Sequence, residues 1–192
     1  MMFKITAFVL LAFFYSVYLG KMIIQRRQGI KTDQIASKGK HGSLYITELL
    51  MRLATYGIII AEVVSILFST VMFSPLFRTI GIVIACLGDI IFAFAVYTMR
   101  DSWRAGIAEN DKTELITTGI YSVSRNPAFL GFYLLYIGIL LMFFNWVLCV
   151  FTVLAIIMLH LQILQEEKHL IIVFGSSYEE YKSKVKRYLG RL

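Results

Sequence analysis

The chain has 192 residues, of which 58% are apolar and 16% charged, and its mean hydropathy is +0.74. A soluble domain needs more polar surface than this, so the composition predicts an all-α integral membrane protein, one domain over residues 1–192. The net charge of +7 suggests a nucleic-acid partner, but 17 of the 19 Lys and Arg residues lie in the segments 21–52, 100–125 and 168–191. These segments alternate with apolar runs, which is typical of membrane topology and argues against nucleic-acid binding.

Five apolar runs are long enough to cross a bilayer, which takes about 20 residues per helix. They cover residues 3–24, 49–73, 76–99, 127–144 and 146–165. The first has no small-residue cleavage site, so we interpret it as an anchor rather than a signal peptide. Ser74 and Pro75 separate the second and third runs. Asn145 and Trp146 form a turn between the last two, which we expect to pair as a C-terminal helical hairpin.

The positive charge predicts the orientation of the five spans. The segments after spans one, three and five hold nearly all of it, whereas the two intervening turns contain only Arg78. The positive-inside rule therefore predicts a multi-pass protein with its N-terminus outside and its C-terminus in the cytosol. All polar segments, and any active site built from them, would then face the cytosol.

Two polar segments have predicted local structure. Residues 25–47 are basic and contain glycine, which indicates a partly ordered loop. In the tail, Ser176 or Ser177 is followed three residues later by Glu179 or Glu180, a capping-box pattern that predicts a helix start. One face of this cytosolic amphipathic helix carries Tyr178, Tyr181, Val185 and Tyr188. It can lie on the membrane surface or fold back over the spans.

The stretch ELITTGIYSVSRNP, residues 114–127, is the first candidate for chemistry. Arg125 supplies a planar cation suited to a carboxylate or phosphate. Pro127 has no N–H and biases Asn126 towards an extended conformation. The segment thus joins a polar loop to a helix N-terminus, whose free N–H groups favour anions and hydrogen-bond acceptors. The alternative is a juxtamembrane arginine beside a capping Asn-Pro pair.

Glu166 and Glu167, at the end of the fifth apolar run, are the second candidate. Acidic residues are unfavourable at a helix C-terminus, so we expect compensation by a cationic ligand, by Arg125 or by Lys168. The alternative is a solvated ion pair.

Glu62 and Asp89 lie inside apolar runs, where charges are costly and are functional candidates. The alternative is a neutral acid or an interhelical hydrogen bond to Tyr56 or Thr98. The two cysteines and three histidines show no ligand spacing, so no metal site is predicted.

Together these motifs resemble the isoprenylcysteine carboxyl methyltransferase family of integral membrane methyltransferases, whose pattern the phospholipid N-methyltransferases share. The first block, L-V-T-x-G-x-Y and then R-H-P-x-Y-x-G, stands here as Leu115, Ile116, Thr117, Gly119 and Tyr121, then Arg125, Asn126, Pro127, Phe129 and Gly131. The second, E-E-x-x-L and then F-G-x-x-Y-x-x-Y, stands as Glu166, Glu167, Leu170, Phe174, Gly175, Tyr178 and Tyr181.

The resemblance implies S-adenosyl-L-methionine as methyl donor, S-adenosyl-L-homocysteine as product, and a lipid-like or prenylated acceptor that enters from the bilayer. It implies a catalytic core over residues 100–192, with accessory transmembrane helices in 1–99. Arg125 and Glu167 are its candidate catalytic residues. Its candidate cofactor-binding residues are Glu114, Leu115, Ile116, Tyr121, Arg125, Asn126, Pro127, Phe129 and Glu166.

Two departures from the family pattern bear on the acceptor. Asn126 replaces the histidine of R-H-P, so no acid/base role is available at that position. Gln162 stands where the eukaryotic prenylcysteine enzymes place an arginine thought to meet the substrate carboxylate, which makes Gln162 the candidate substrate-binding residue. A prenylcysteine carboxylate, a phospholipid amine and an isoprenoid all remain open as acceptors. An NADPH-dependent enzyme similar to sterol reductases and a non-catalytic helical scaffold are the alternative functions.

Overall fold

The structure is a computed structural model, and it describes residues 1–37, 39–68, 72–107 and 113–191. Two single-turn 3-10 helices, Arg100–Ser102 and Gly119–Ser122, lie in the loops, and the described residues contain isolated bridges but no strand. The all-α prediction is therefore confirmed. The six α-helices are α1 Met2–Arg27, α2 Gly42–Phe68, α3 Pro75–Met99, α4 Pro127–Met142, α5 Trp146–Phe174 and α6 Ser176–Lys184.

Among the described residues, four helical segments are long and apolar enough to cross a membrane: α1, α2, α5, and α3 with its 3-10 extension to Ser102. The fourth predicted span is the shorter α4, whose 16 residues rise about 24 Å, less than the ~30 Å hydrocarbon core. The chain is thus a multi-pass membrane protein with four long helices and one shorter apolar helix. The end of the second predicted span, 69–71, and part of the polar segment, 108–112, lie outside the described residues.

Close glycine contacts hold α4 against α3. A Cβ on Gly81 would lie 2.6 Å from the carbonyl oxygen of Gly138, and one on Gly88 would lie 2.8 Å from that of Gly131. Such distances exclude any side chain, so the two backbones touch directly. Small residues at helix interfaces are how membrane helices gain packing energy without a hydrophobic driving force. This contact fixes the N-terminus of α4, where the first polar motif ends.

Three predicted helix boundaries are wrong. Helix α5 continues nine residues beyond 165, to Phe174, because an apolar turn follows the acidic pair and the chain leaves the helix only at Gly175, with φ +52°. The acidic pair therefore lies inside the helix. Gly175, and not Ser176 or Ser177, is the N-cap of α6, which has no side-chain cap. Helix α2 starts at Gly42, so the last part of the predicted loop is helical.

Helix α6 folds back over the ends of the long helices. Tyr178, Tyr181 and Val185 are at most 8% exposed, and they pack against side chains of α5 and the loop before α4, namely Leu115, Leu170, Ile171 and Phe174. The helix is shorter than predicted, because it ends at Lys184, and Val185 and the half-buried Tyr188 of the predicted face lie beyond it. The apolar side chains of α6 are nevertheless buried within the protein, which makes the tail part of the site described next.

Candidate functional site: two cavities that share a wall

Glu167, in the C-terminal part of α5, binds residues at the start of α4 and in the tail. Its carboxylate accepts hydrogen bonds from Asn126 Nδ2 at 3.2 Å and from Arg187 Nε and Nη2 at 3.1 and 2.9 Å. Arg125 Nη2 lies 3.4 Å from the same carboxylate. Asn126 also donates to the Arg187 carbonyl at 3.2 Å. The expected compensation of the acidic pair by Arg125 is thus present, whereas Lys168 is exposed and Arg187 was not anticipated.

The tail holds the backbone around Arg125 in place. Arg125 N donates to the Lys186 carbonyl at 3.1 Å, and Gly190 N donates to the Val123 carbonyl at 2.8 Å. The Tyr181 hydroxyl donates to the Tyr121 carbonyl at 2.6 Å. The first motif is therefore positioned by residues sixty positions further along the chain.

Arg125 is buried but only partly hydrogen-bonded. Its side chain is 7% exposed, and its Nε and Nη1 have no hydrogen-bond partner among the described residues. Leaving a buried charged donor unsatisfied costs more than the ~1–3 kcal/mol typical of a neutral group. Because a guanidinium binds a carboxylate through two parallel N–H groups, the free edge of Arg125 suits an anionic ligand.

Arg125 lines a cavity of about 460 Å³ beneath α6, which we call the tail cavity. Eight of the nine candidate cofactor-binding residues line it: Glu114, Leu115, Ile116, Tyr121, Arg125, Asn126, Phe129 and Glu166. Pro127 is buried in the first turn of α4, and neither it nor Glu167 is among the lining residues. The structure thus brings Asn126 and Glu166 to one cavity, and it places Glu167 behind the wall.

Two phenols give the tail cavity a neutral aromatic lining. Tyr121 and Tyr178 are 6% and 1% exposed. Burial raises the pKa of the Tyr178 hydroxyl to about 12 and raises that of Tyr121 further above its usual value. Both side chains therefore remain protonated at neutral pH and add no negative charge.

A second cavity of about 400 Å³ is lined by residues of all five apolar helices, α1 to α5, and we call it the interhelical cavity. Its deep walls are mainly apolar and aromatic. Tyr56 lies at its rim and is 63% exposed. The candidate substrate residue Gln162 lines this cavity and not the tail cavity. It is fully buried; its Nε2 donates to Glu166 Oε1 at 3.1 Å, and its Oε1 has no partner among the described residues.

Six residues line both cavities: Trp103, Arg104, Gly106, Ala128, Phe129 and Glu166. The two spaces therefore meet at a common wall, with the Glu166 carboxyl between them. A molecule in one cavity and a molecule in the other would approach each other at this wall.

The segment 103–107 of this wall is held by a buried ion pair on the N-terminal side. Lys40 Nζ lies 2.7 Å from Glu48 Oε1, and the two residues are 5% and 0% exposed. Glu48 also accepts from Ala36 N at 2.6 Å and from Ile107 N at 3.0 Å. Around Gly106, a Cβ would lie 2.8 Å from the Ile35 nitrogen, so the two loops pack backbone to backbone.

The sequence analysis predicted Phe129 and Glu166 as site residues, but it identified neither the other residues of the shared wall nor Arg187. Trp103 follows the third apolar run and could have been noticed as an interfacial aromatic, but nothing local marks Gly106 or the Lys40–Glu48 pair. Arg187 is one of several tail cations, and only the fold distinguishes it by its ion pair with Glu167.

Glu62 and Asp89, the acidic residues inside the helices, do not make the hydrogen bonds suggested from the sequence within the described structure. Both Glu62 oxygens are buried without a hydrogen-bond partner among the described residues, and so is Asp89 Oδ1. Thr98 donates to the Phe94 carbonyl instead. The suggested hydrogen bonds to Tyr56 or Thr98 are therefore absent from the described structure.

Comparisons with known proteins match a part of the chain that contains many of these site residues. The family model of the isoprenylcysteine carboxyl methyltransferase (ICMT) family matches residues 79–172. The chain is 32% identical over 122 residues to the protein-S-isoprenylcysteine O-methyltransferase of Saccharomyces cerevisiae, covering 62% of this chain and 51% of the relative. It is 34% identical over 109 residues to a probable enzyme of the same name from Oryza sativa subsp. indica, covering 55% and 57%.

The chain spans about half the length of these curated relatives. The matched residues contain the start of α4, the hairpin and the acidic pair, which are the parts that build the wall between the cavities. The family resemblance predicted from the two motifs is thereby confirmed: residues 79–172 match the model of the isoprenylcysteine carboxyl methyltransferase family.

Proposed function

We propose that this protein is a membrane-embedded methyltransferase that takes a methyl group from S-adenosyl-L-methionine and transfers it to a lipid-like acceptor. The observation that carries the proposal is the wall shared by the tail cavity, which holds Arg125 and Asn126, and the more apolar interhelical cavity, with Glu166 and Phe129 lining both. Family membership supports the reaction class, since the relatives are named as O-methyltransferases of isoprenylcysteine.

The tail cavity fits the donor by size and by charge. A volume of about 460 Å³ lies within the usual ~300–1,000 Å³ of cofactor pockets. The unpartnered Nε and Nη1 of Arg125 suit the donor carboxylate, Glu166 suits its cationic groups, and Tyr121, Phe129 and Tyr178 offer surfaces for its ring. When bound there, the donor supplies an electrophilic methyl group on a sulfonium.

The residues of this chain then act by positioning and by proton transfer. Holding two reactants in line in a site that excludes water can supply several kcal/mol of the barrier reduction. Glu167 is occupied by Arg125, Arg187 and Asn126, so we assign it the role of fixing Arg125. Glu166, which faces both cavities, is the better placed carboxylate to receive a proton from an acceptor that must lose one.

The polar end of the interhelical cavity favours an acceptor that donates hydrogen bonds. Gln162 Oε1 has no partner among the described residues, its Nε2 is used by Glu166, and Glu166 adds further acceptor oxygens. These oxygens repel a carboxylate and bind an amine or hydroxyl, although the cations Arg52 and Arg104 line other parts of the same cavity. Among the three acceptor classes left open by the sequence, we therefore favour a phospholipid amine or a hydroxylated isoprenoid over a prenylcysteine carboxylate.

The orientation completes the proposal. The basic segments predict that the N-terminus is outside and that α6 and the tail cavity face the cytosol, where the donor is made. Residues 100–192 would bind the donor. Residues 1–99 are more than accessory in this scheme, because α1 and α2 supply much of the acceptor cavity.

The test is transfer of labelled methyl groups. The full chain in lipid vesicles is incubated with S-adenosylmethionine carrying a tritiated methyl group, together with total lipid extract, phosphatidylethanolamine or N-acetyl-S-farnesylcysteine. We expect label in a lipid product with the first two and little with the third. Label in farnesylcysteine alone would overturn the acceptor assignment, and no label with any acceptor, together with no binding of S-adenosylhomocysteine, would overturn the reaction.

A further inference from the structure

Three polar side chains from three helices meet in the membrane interior. They are Tyr15 of α1, Glu62 of α2 and Tyr136 of α4. Glu62 and Tyr136 are fully buried. Both Glu62 oxygens and both hydroxyls lack a hydrogen-bond partner among the described residues, although the Glu62 carboxyl lies within electrostatic range of the two phenols.

This cluster lies deep in the helix bundle. Tyr136 is nine residues beyond Pro127, so it lies about 14 Å along α4 from the polar corner. Tyr15 lies ten residues before Gln25, about 15 Å along α1. Both positions fall near the middle of a ~30 Å hydrocarbon core, where neither water nor lipid chains can satisfy polar groups.

Two of the three residues face an empty space that a ligand can enter. Tyr15 and Tyr136 line the interhelical cavity, and their neighbours in its lining, Phe92, Phe132 and Leu159, offer no hydrogen bonds from their side chains. Gln162 and Glu166 line the same cavity, and Asp33, Arg52, Thr55 and Tyr56 add further polar groups to its lining. Tyr15 and Tyr136 differ from these four residues in that their hydroxyls are buried without a hydrogen-bond partner among the described residues.

We propose that Tyr15, Glu62 and Tyr136 form a second polar subsite, which binds a hydroxyl group carried on the apolar chain of a membrane amphiphile. A hydroxyl is favoured because it both donates and accepts, and the cluster offers two phenolic donors and carboxyl acceptors. The amphiphile places its polar head near Gln162 and its chain along the aromatic wall. Binding alone is proposed, so the subsite stands or falls independently of methyl transfer.

The experiment compares three probes on the full chain in nanodiscs without any methyl donor: lysophosphatidylcholine with a stearoyl, a 3-hydroxystearoyl or a 10-hydroxystearoyl chain. The wild type is expected to bind the 10-hydroxy chain about tenfold more tightly than the other two chains. This difference in affinity corresponds to the net stabilisation by one or two buried hydrogen bonds. Tyr136→Phe and Glu62→Gln should remove most of that preference. Tyr56→Phe, a matched change at the exposed rim of the same cavity, should keep it.

The melting temperature without ligand separates this subsite from an internal hydrogen-bond network. Tyr136→Phe removes a hydroxyl that makes no hydrogen bond of normal geometry among the described residues, so the melting temperature should stay constant or rise. A fall in melting temperature with Tyr136→Phe, or equal binding of the three probes by the wild type, would overturn the proposal. So would equal loss of preference in Tyr136→Phe and Tyr56→Phe.

Discussion

The two cavities differ in how their residues are held. In the tail cavity, Arg125 and Asn126 are fixed by a network of ion pairs and backbone hydrogen bonds that runs from α4 through Glu167 to the tail. In the interhelical cavity, the Tyr136 hydroxyl and Gln162 Oε1 have no partner among the described residues. The comparison suggests a rigid, preorganised donor site beside an acceptor site whose polar groups become satisfied on binding. Preorganised groups at the donor site are what catalysis by positioning requires.

Loss of the buried ion pair should have the largest effect, because it supports the wall common to both cavities. Glu48→Ala leaves Lys40 buried and unpaired, and we expect the free energy of unfolding to fall by about 3–5 kcal/mol. Reversible unfolding in mixed micelles measures it. A double variant, Glu48→Ala with Lys40→Met, removes both charges and should recover much of the stability. If the double variant is as unstable as the single one, the wall does not depend on the pairing of these charges.

Glu166→Gln tests the residue that faces both cavities. The amide keeps the shape and can still accept from Gln162, but it cannot take a proton. We expect the rate of methyl transfer to an amine or hydroxyl acceptor to fall by about 10²–10³, with a smaller loss, under about tenfold, in affinity for S-adenosylhomocysteine. Glu167→Gln should instead weaken donor binding through Arg125. Equal rates for Glu166→Gln and wild type would exclude Glu166 as the base.

Arg125→Ala tests the tail cavity alone. Losing a charge-assisted pair to the ligand carboxylate should weaken S-adenosylhomocysteine binding by about 10–100-fold, while acceptor binding stays unchanged. The melting temperature should change little, because Glu167 keeps Arg187 and Asn126. Lys168→Ala, an exposed cation next to the acidic pair, is the matched control. Parallel loss of folding and binding would make Arg125 a structural residue.

Gln162→Leu should give the smallest effect and should act mainly on the interhelical cavity. It removes a buried acceptor atom and the Nε2 donor to Glu166, so the KM for an amine or hydroxyl acceptor should rise by about five- to tenfold, with a smaller change in S-adenosylhomocysteine affinity. Gln162→Arg is the informative companion. If the acceptor is a carboxylate after all, the arginine variant should bind it more tightly than the wild type does, and the distinction drawn between the acceptor classes would then be wrong.

The sequence predicted the tail cavity better than the interhelical one, and the reason is physical. Arg125, Asn126 and Glu166 sit in motifs whose polarity contrasts with the apolar runs around them, so each is visible locally. The interhelical cavity is lined by side chains such as Tyr15, Phe92 and Leu159, which look like any lipid-facing or core residue until the five helices are packed.

The errors in the helix boundaries have a similar origin. Apolar length predicted that α5 stops at the acidic pair, yet Glu167 is buried and neutralised by two arginines, so the helix continues to Gly175. Likewise, Ser176 and Ser177 look like caps, but they are the first residues of α6, because the chain already enters the new helix at Gly175, which has a positive φ. Long-range ion pairs and a reversal at glycine override these local signals.

The most direct test of the central claim is calorimetric titration of the full chain in nanodiscs with S-adenosylhomocysteine and, separately, with NADPH. The account predicts saturable binding of S-adenosylhomocysteine that Arg125→Ala weakens and Lys168→Ala does not, and no heat with NADPH. Binding of NADPH, no binding of S-adenosylhomocysteine, or the same S-adenosylhomocysteine affinity in wild type and Arg125→Ala would contradict it.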